Sequence, residues 1–334
     1  MVLVVAGHSI RGLAAANIGS REVARVIDTF LYLGRLPVFA LAVGLLTPAA
    51  VERAGAKKFL QRRMSLLLYL YLVWTLIQGT AEVLTTPWKN HPVDWFDVLA
   101  IWKPIGQMWF MPHLMVATLV LVAVAPWRGG RRAVIGTILV VIVSLAAWGT
   151  DPEYFGTGGI ALLVWYVLGA AIGVKWFREV SARIPTPVLV IGGAIGVVGS
   201  VVMVVHLPVA APTIGYVTRS LEATIWGVVA AVIEVAGAFA LTTAWARYPR
   251  TSAWMAYIGR HSLSVYLAHI MVTAGVRIVL VRLGVTDLWL HMGIAVPLAV
   301  LFPLILERVT RPFPYLFVPP WRVKKRPAPA AAAA

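Results

Sequence analysis

About ten times along the chain, a run of roughly 17 to 22 mostly apolar residues gives way to a short polar stretch, and this repeat constrains the fold more than any other feature. A helix of about 20 residues covers the roughly 30 Å of hydrocarbon in a bilayer, and inside lipid only helices and closed barrels satisfy their own backbone polar groups. A barrel would show strands of about ten alternating residues, which this chain lacks. The runs lie near 1–16, 29–47, 64–84, 108–126, 133–149, 160–177, 188–206, 225–246, 263–281 and 290–306. They predict an all-α, polytopic transmembrane bundle of about ten helices, with residues 1–320 as one domain.

Composition agrees: 60% of the 334 residues are hydrophobic and only 13% are charged. There is no cysteine, which excludes disulfides, thiolate metal sites and cysteine nucleophiles, and no metal site is expected. The net charge of +16 could suggest nucleic acid, but the basic residues are spread through the gaps between apolar runs. Assigning alternate gaps to opposite faces puts 20 of the 29 Lys and Arg residues on one face, among them Arg53, Lys57, Lys58, Arg62, Arg63, Arg247 and Arg308. The positive-inside rule makes that face cytoplasmic, with both termini on it. Residues 321–334 are a basic, Pro/Ala-rich stretch predicted to be a cytoplasmic tail without chemistry. Only seven residues precede His8, so the first helix is expected to be cut short at its start. Arginine exceeds lysine about threefold and alanine, valine and glycine abound, which points to a bacterial inner membrane.

No internal repeat and no Walker, Rossmann, zincin or nucleophile-elbow pattern is visible. The spacing of Gly192, Gly196 and Gly199 fits close helix packing. Ionisable groups inside apolar runs are costly in lipid and so are functional candidates: His8, Arg35, Glu82, His113, Glu234, His269 and Arg277, with Asp28 and His206 at run edges. His8 follows Gly7 and is the leading general base, or else an interfacial histidine. Glu234 could pair with Arg35, orient a histidine, or form a purely structural ion pair. His113 follows Pro112, where a local break could open backbone groups to a cavity; a packing histidine is the alternative.

Several stretches, in order, resemble the acyltransferase-3 family, including its fucose 4-O-acetylase-like branch. Val4 to Ser9 is similar to the first helix that closes in Gly-His, and Leu36-Pro37-Val38-Phe39 with Gly44 to the second helix. Arg62-Arg63 running into Tyr71-Leu72-Val73-Trp74 resembles the basic loop and start of the third, and Trp109-Phe110-Met111 the fourth. Tyr257 to His269 resembles the Ile-Gly-x-x-Ser-x-x-Ile-Tyr-x-x-His signature. Arg35 stands where the branch has a histidine, Leu70 replaces a proline before Tyr71, and the family's basic residue about eleven positions before the histidine has no counterpart.

The resemblance implies transfer of an acetyl or short acyl group from acyl-CoA, a substrate and not a resident cofactor, to a hydroxyl of a sugar, glycolipid or cell-envelope glycan. It makes His8 the catalytic residue. A sugar hydroxyl needs a base, a contribution of typically 10²- to 10⁴-fold. Lys57, Lys58, Arg62 and Arg63 are expected to bind the donor phosphates, or merely to obey topology. Arg35 is expected to polarise the oxyanion with Glu234 as counter-ion. Trp109, His113, Tyr266 and His269 are expected around the substrate, the last two either lining the cavity or locking helix packing. The expected partners are the bilayer, acyl-CoA and the acceptor, with no nucleic acid. A secondary transporter or flippase is the competing reading, although it calls for paired inverted halves that the chain does not show.

Overall fold

A computed structural model describes residues 1–86, 93–213 and 219–323; most of the predicted tail, 324–334, lies outside the described residues. All ten apolar runs are helical, and no strand occurs among the described residues. The helices are α1 (Val2–Ala15), α2 (Arg21–Ala54), α3 (Ala56–Leu84), α4 (Trp95–Leu99), α5 (Phe110–Val124), α6 (Gly130–Ala146), α7 (Leu163–Ile172), α8 (Val174–Arg183), α9 (Thr186–His206), α10 (Leu221–Ala246), α11 (Pro249–Arg260), α12 (Ser262–Arg282) and α13 (Leu288–Val309). Among the described residues, seven segments are long and apolar enough to cross a bilayer: α2, α3, Gly106–Arg128 around α5, α9, α10, α12 and α13. An eighth is added if α7 and α8 count as one span.

The difference from ten has local causes, α6 among them: its 17 residues begin at Gly130-Arg131-Arg132 and rise only about 26 Å. The 14 residues of α1 rise only about 21 Å, short of a full crossing. The run at 160–177 is not one helix: Gly173, with φ +69°, ends α7, and α8 leaves at 75°. Lys175, Arg178 and Arg183 follow Gly173 on α8, where no residue is buried, so the bend carries a charged helix away from the apolar bundle.

The long helix α2 is the hub, touching α1, α3, α5, α7, α8, α9 and α10, while α12 and α13 form a hairpin beside α1. Lipid tails give no hydrophobic drive for helix association, so close packing and hydrogen bonds hold such a bundle. Gly44 of α2 and Gly169 of α7 sit backbone against backbone; a Cβ on Gly169 would come within 2.9 Å of Leu45 N. Gly196 of α9 and Gly237 of α10 do the same, and Gly193 joins them, whereas Gly192 has nothing within 4 Å. The predicted small-residue packing is therefore real but runs through Gly193 and Gly196 on α9.

Loops assigned to one face touch one another. Arg247 donates to Ser181 O and Ile184 O, and Arg322 to Arg62 O, on the basic-rich face. Lys103 pairs with Glu153, and Arg219 donates to Trp148 O, on the basic-poor face. Trp74 Nε1 donates to Leu316 O and Tyr69 to Tyr315 O, fastening the segment after α13 along α3.

Candidate active site

α1 lies between α2 and the α12–α13 hairpin, which surrounds the middle of a short apolar helix with polar groups. His8 lines a cavity of about 830 Å³ whose other walls come from the C-terminal ends of α3 and α12, the approach to α5, the 151–153 loop and the start of α13. Every one of those parts belongs to the basic-poor half. The cavity reaches Glu82 near the C-terminal end of α3, whereas Arg62 stands twenty residues earlier, about 30 Å along the helix. The cavity and the basic cluster therefore sit toward opposite membrane faces.

The His8 ring centroid is 5.1 Å from that of His269, which is fully buried on α12. His269 Nδ1 faces Tyr266 O at 2.7 Å and Val265 O at 3.0 Å. Both partners are carbonyls, so Nδ1 carries the proton and Nε2 keeps a lone pair with no partner in the protein. On the other side of α1, Gly7 lacks a Cβ that would overlap the Arg35 guanidinium, and so Arg35 can lie against the helix backbone next to His8. Arg35 is 5% exposed, its Cζ sits 3.7 Å from the Tyr32 ring centroid, and its Nε and Nη1 have no hydrogen-bond partner. Arg11 also meets Tyr32, at 3.9 Å, and donates to Asp28 at 2.6 Å. A buried guanidinium with the Tyr32 side chain against it but no carboxylate in contact among the described residues is costly in a medium of low dielectric, which makes Arg35 a functional candidate.

Glu234 does not play the expected counter-ion. It is buried, its Oε2 has no partner, and among the described residues no carboxylate lies within 4 Å of Arg35. The reason is helical phase. Glu234 comes from α10 against Gly34, where a Cβ would collide with its carboxylate, and the next residue, Arg35, points about 100° around α2 toward α1. Arg11 and Asp28, which sequence separates by a turn and a helix start, form the ion pair instead.

The remaining candidates divide into three groups. Trp109 lines the cavity. Tyr266 donates to Gln107 O, which ties α12 to the approach to α5, and its ring lies beside that of His269 on the same helix. His113 does not reach the cavity; its ring packs against Phe110 at 5.6 Å and Tyr166 at 5.6 Å, with both nitrogens unpartnered. Lys57, Lys58 and Arg62 are exposed on the basic-rich face, while Arg63 turns inward and donates to Thr118 Oγ1 at 3.2 Å. At the cavity mouth, burial raises the Asp151 carboxyl above its ordinary range, and the hydrogen bond with Glu153 raises Lys103. No group of three or more metal-ligating side chains occurs among the described residues.

A family model described as an acyltransferase domain matches residues 1–308. The chain belongs to the acyltransferase-3 family. No curated protein and no solved structure gives a significant match. The acyltransferase-3 chain is thus a membrane acyltransferase, and its signature stretch at 257–269 can be read in physical terms. His261 Nδ1 and Ser264 Oγ both meet the Glu307 carboxylate, at 2.9 and 2.6 Å, which locks α12 to α13. Tyr266 reaches from that lock to Gln107 and His269 to His8, so the signature combines a structural clamp with a ring beside His8. Two further cavity residues were not legible as a pair: Arg277, which donates to Gly12 O at 2.7 Å, and His291, fully buried at the start of α13.

Proposed function

We propose that the protein is an O-acyltransferase that moves an acetyl or short acyl group from acyl-CoA to a hydroxyl of a sugar, glycolipid or envelope glycan, with His8 as general base. The observation that carries the reading is the position of His8. It faces a solvent-sized cavity, with a second imidazole at 5.1 Å and a buried guanidinium behind it. His8 takes the proton of the acceptor hydroxyl as its oxygen attacks the thioester carbonyl; the C–S bond breaks, and the proton passes to the departing thiolate. Arg35, lacking a carboxylate partner, supplies positive charge near the developing oxyanion. His269, held as the Nδ1–H tautomer, offers its free lone pair next to the imidazolium that forms.

The two substrates approach from opposite faces. Lys57, Lys58 and Arg62 bind the donor phosphates on the basic-rich face, which the positive-inside rule makes cytoplasmic. The unpartnered Tyr166 hydroxyl and His113 nitrogens, inward of Arg63, provide polar contacts for the donor arm on its way to His8. The acceptor enters the cavity from the basic-poor face. The branch-level likeness to fucose 4-O-acetylases and the bacterial inner membrane belong to the same proposal.

Purified protein given radiolabelled acetyl-CoA and an envelope glycan and lipid extract should transfer label, and His8→Ala should lower the rate about 10²- to 10⁴-fold. Equal labelling by both chains excludes the base role. Counterflow of a solute in proteoliposomes without any labelled product supports transport instead.

A further inference from the structure

Toward its mouth on the basic-poor side, the cavity holds a second set of polar groups that acyl transfer at His8 does not use. Gly12 is one helical turn beyond His8 on α1, about 6 Å along the axis, and Arg277 Nη1 donates to its carbonyl. Among the described residues, the other Lys and Arg side chains that line the cavity are paired, Arg11 with Asp28 and Lys103 with Glu153 at 2.7 Å. Arg277 lines the cavity with no carboxylate within 4 Å among the described residues. His291 lines it too. Arg277 stands five residues before the end of α12 and His291 three after the start of α13, so the hairpin returns His291 to about the same depth. His291 is fully buried; its Nε2 meets Val285 O at 3.0 Å and therefore carries the proton, which leaves Nδ1 as an acceptor without a partner. A buried imidazole nitrogen without a partner and a guanidinium without a carboxylate, on two residues that line one cavity, match a ligand that supplies a hydroxyl and a negative charge.

We propose that Arg277 and His291 form an acceptor subsite for an anionic glycan: Arg277 holds a carboxylate or phosphate group, His291 Nδ1 accepts a hydrogen bond from a hydroxyl, and the reacting hydroxyl lies about one helical turn deeper, at His8. The Trp109 ring, which also lines the cavity, gives a sugar an apolar face to rest on. Asp97 and Asp151 also line the cavity, so an anionic group is held at Arg277 and not throughout. The site rests on the acyl-transfer reading for the identity of its ligand, though not for its existence.

The test is calorimetric binding of three probes to the full-length protein in detergent at low salt: methyl glucuronide, glucosyl phosphate and methyl glucoside. Both anionic probes should bind about tenfold or more tightly than the neutral one, the size of a charge-assisted contact. Arg277→Gln should abolish that preference and Arg277→Lys keep part of it, while His291→Phe should weaken all three probes by a similar factor. A preference for only one anionic probe identifies the group as carboxylate or phosphate and supports the site. Equal binding of charged and neutral probes, no binding of any, or a preference that survives Arg277→Gln overturns it. Selective binding without acyl transfer leaves the site standing and removes the acyltransferase reading. Transfer to neutral and charged glycosides alike, unaffected by Arg277→Gln, does the reverse.

Discussion

The two halves of α2 are built to different ends. Its C-terminal half, with Ala40, Gly44 and Leu45 buried, packs against α7 closely enough that a Cβ on Gly44 would meet backbone at Tyr166 and Ala170. Its N-terminal half buries Asp28, Thr29, Tyr32 and Arg35, with several polar atoms left unpaired. Gly34 and Gly44 show the contrast within one helix, since the first makes room for the Glu234 carboxylate and the second for another helix. Lipid gives helices little reason to associate beyond packing, so Gly44 is a residue of stability. Unpaired buried charge weakens a fold, so the opposite half keeps its polar groups at a cost in stability that the proposed acyl transfer accounts for.

This contrast can be broken with glycines. Gly44→Val places side-chain atoms into the backbone of α7, and overpacking of this kind costs about 3 kcal/mol or more. The melting temperature should fall sharply, with activity per folded molecule unchanged; a variant that melts like the native chain denies the tight crossing. Gly7→Ala meets only the tip of Arg35, so it should lower acyl transfer about tenfold, the equivalent of about 1.4 kcal/mol, with a smaller effect on melting. Adding Arg35→Met should relieve the overlap without restoring transfer, because the charge is gone. Recovery of full activity in the double variant makes Arg35 a spectator.

The legibility of the sequence followed the same division. Hydrophobic periodicity reported the long helices of the bundle, because a membrane-crossing run is a local property, but not α4 and α11, which lie outside the ten runs. The bend at Gly173 was missed because the apolar residues continue across it, and only the positive φ of one glycine marks it. At the site, His8, Arg35 and His269 were visible as polar residues out of place. Their partners were not, since pairing depends on helix phase and crossing: Arg11 meets Asp28, and Glu234 meets Gly34. His291 stood at the edge of its run and was not among the candidates; it is fully buried on the helix that packs against α1 and α12, which no local pattern encodes.

Smaller effects sharpen the comparison. Glu307→Gln keeps an acceptor for Ser264 and loses the charge opposite His261, and because both side chains are about a quarter exposed the cost should stay within about 1 kcal/mol. Melting should shift by a few degrees with transfer intact; a large loss of activity makes the clamp part of the chemistry. The smallest effect is at Asp151, whose carboxyl is raised by burial, against the lowering influence of Arg11. A raised acid binds its proton more tightly folded than unfolded, so its contribution is present at low pH and lost as pH rises through the folded value. Asp151→Asn should flatten the pH dependence of melting just above the usual carboxylate range; a native slope in the variant assigns that dependence elsewhere.

The central claim is that the His8 side chain opens to the basic-poor face, away from the donor cluster. The chain has no cysteine, so His8→Cys gives a single thiol that reports its own access. In sealed vesicles of known orientation, a membrane-impermeant methanethiosulfonate should modify Cys at this position from the basic-poor side and not from the side bearing Lys57 and Lys58. Modification only from the Lys57 side, or from neither, contradicts the account.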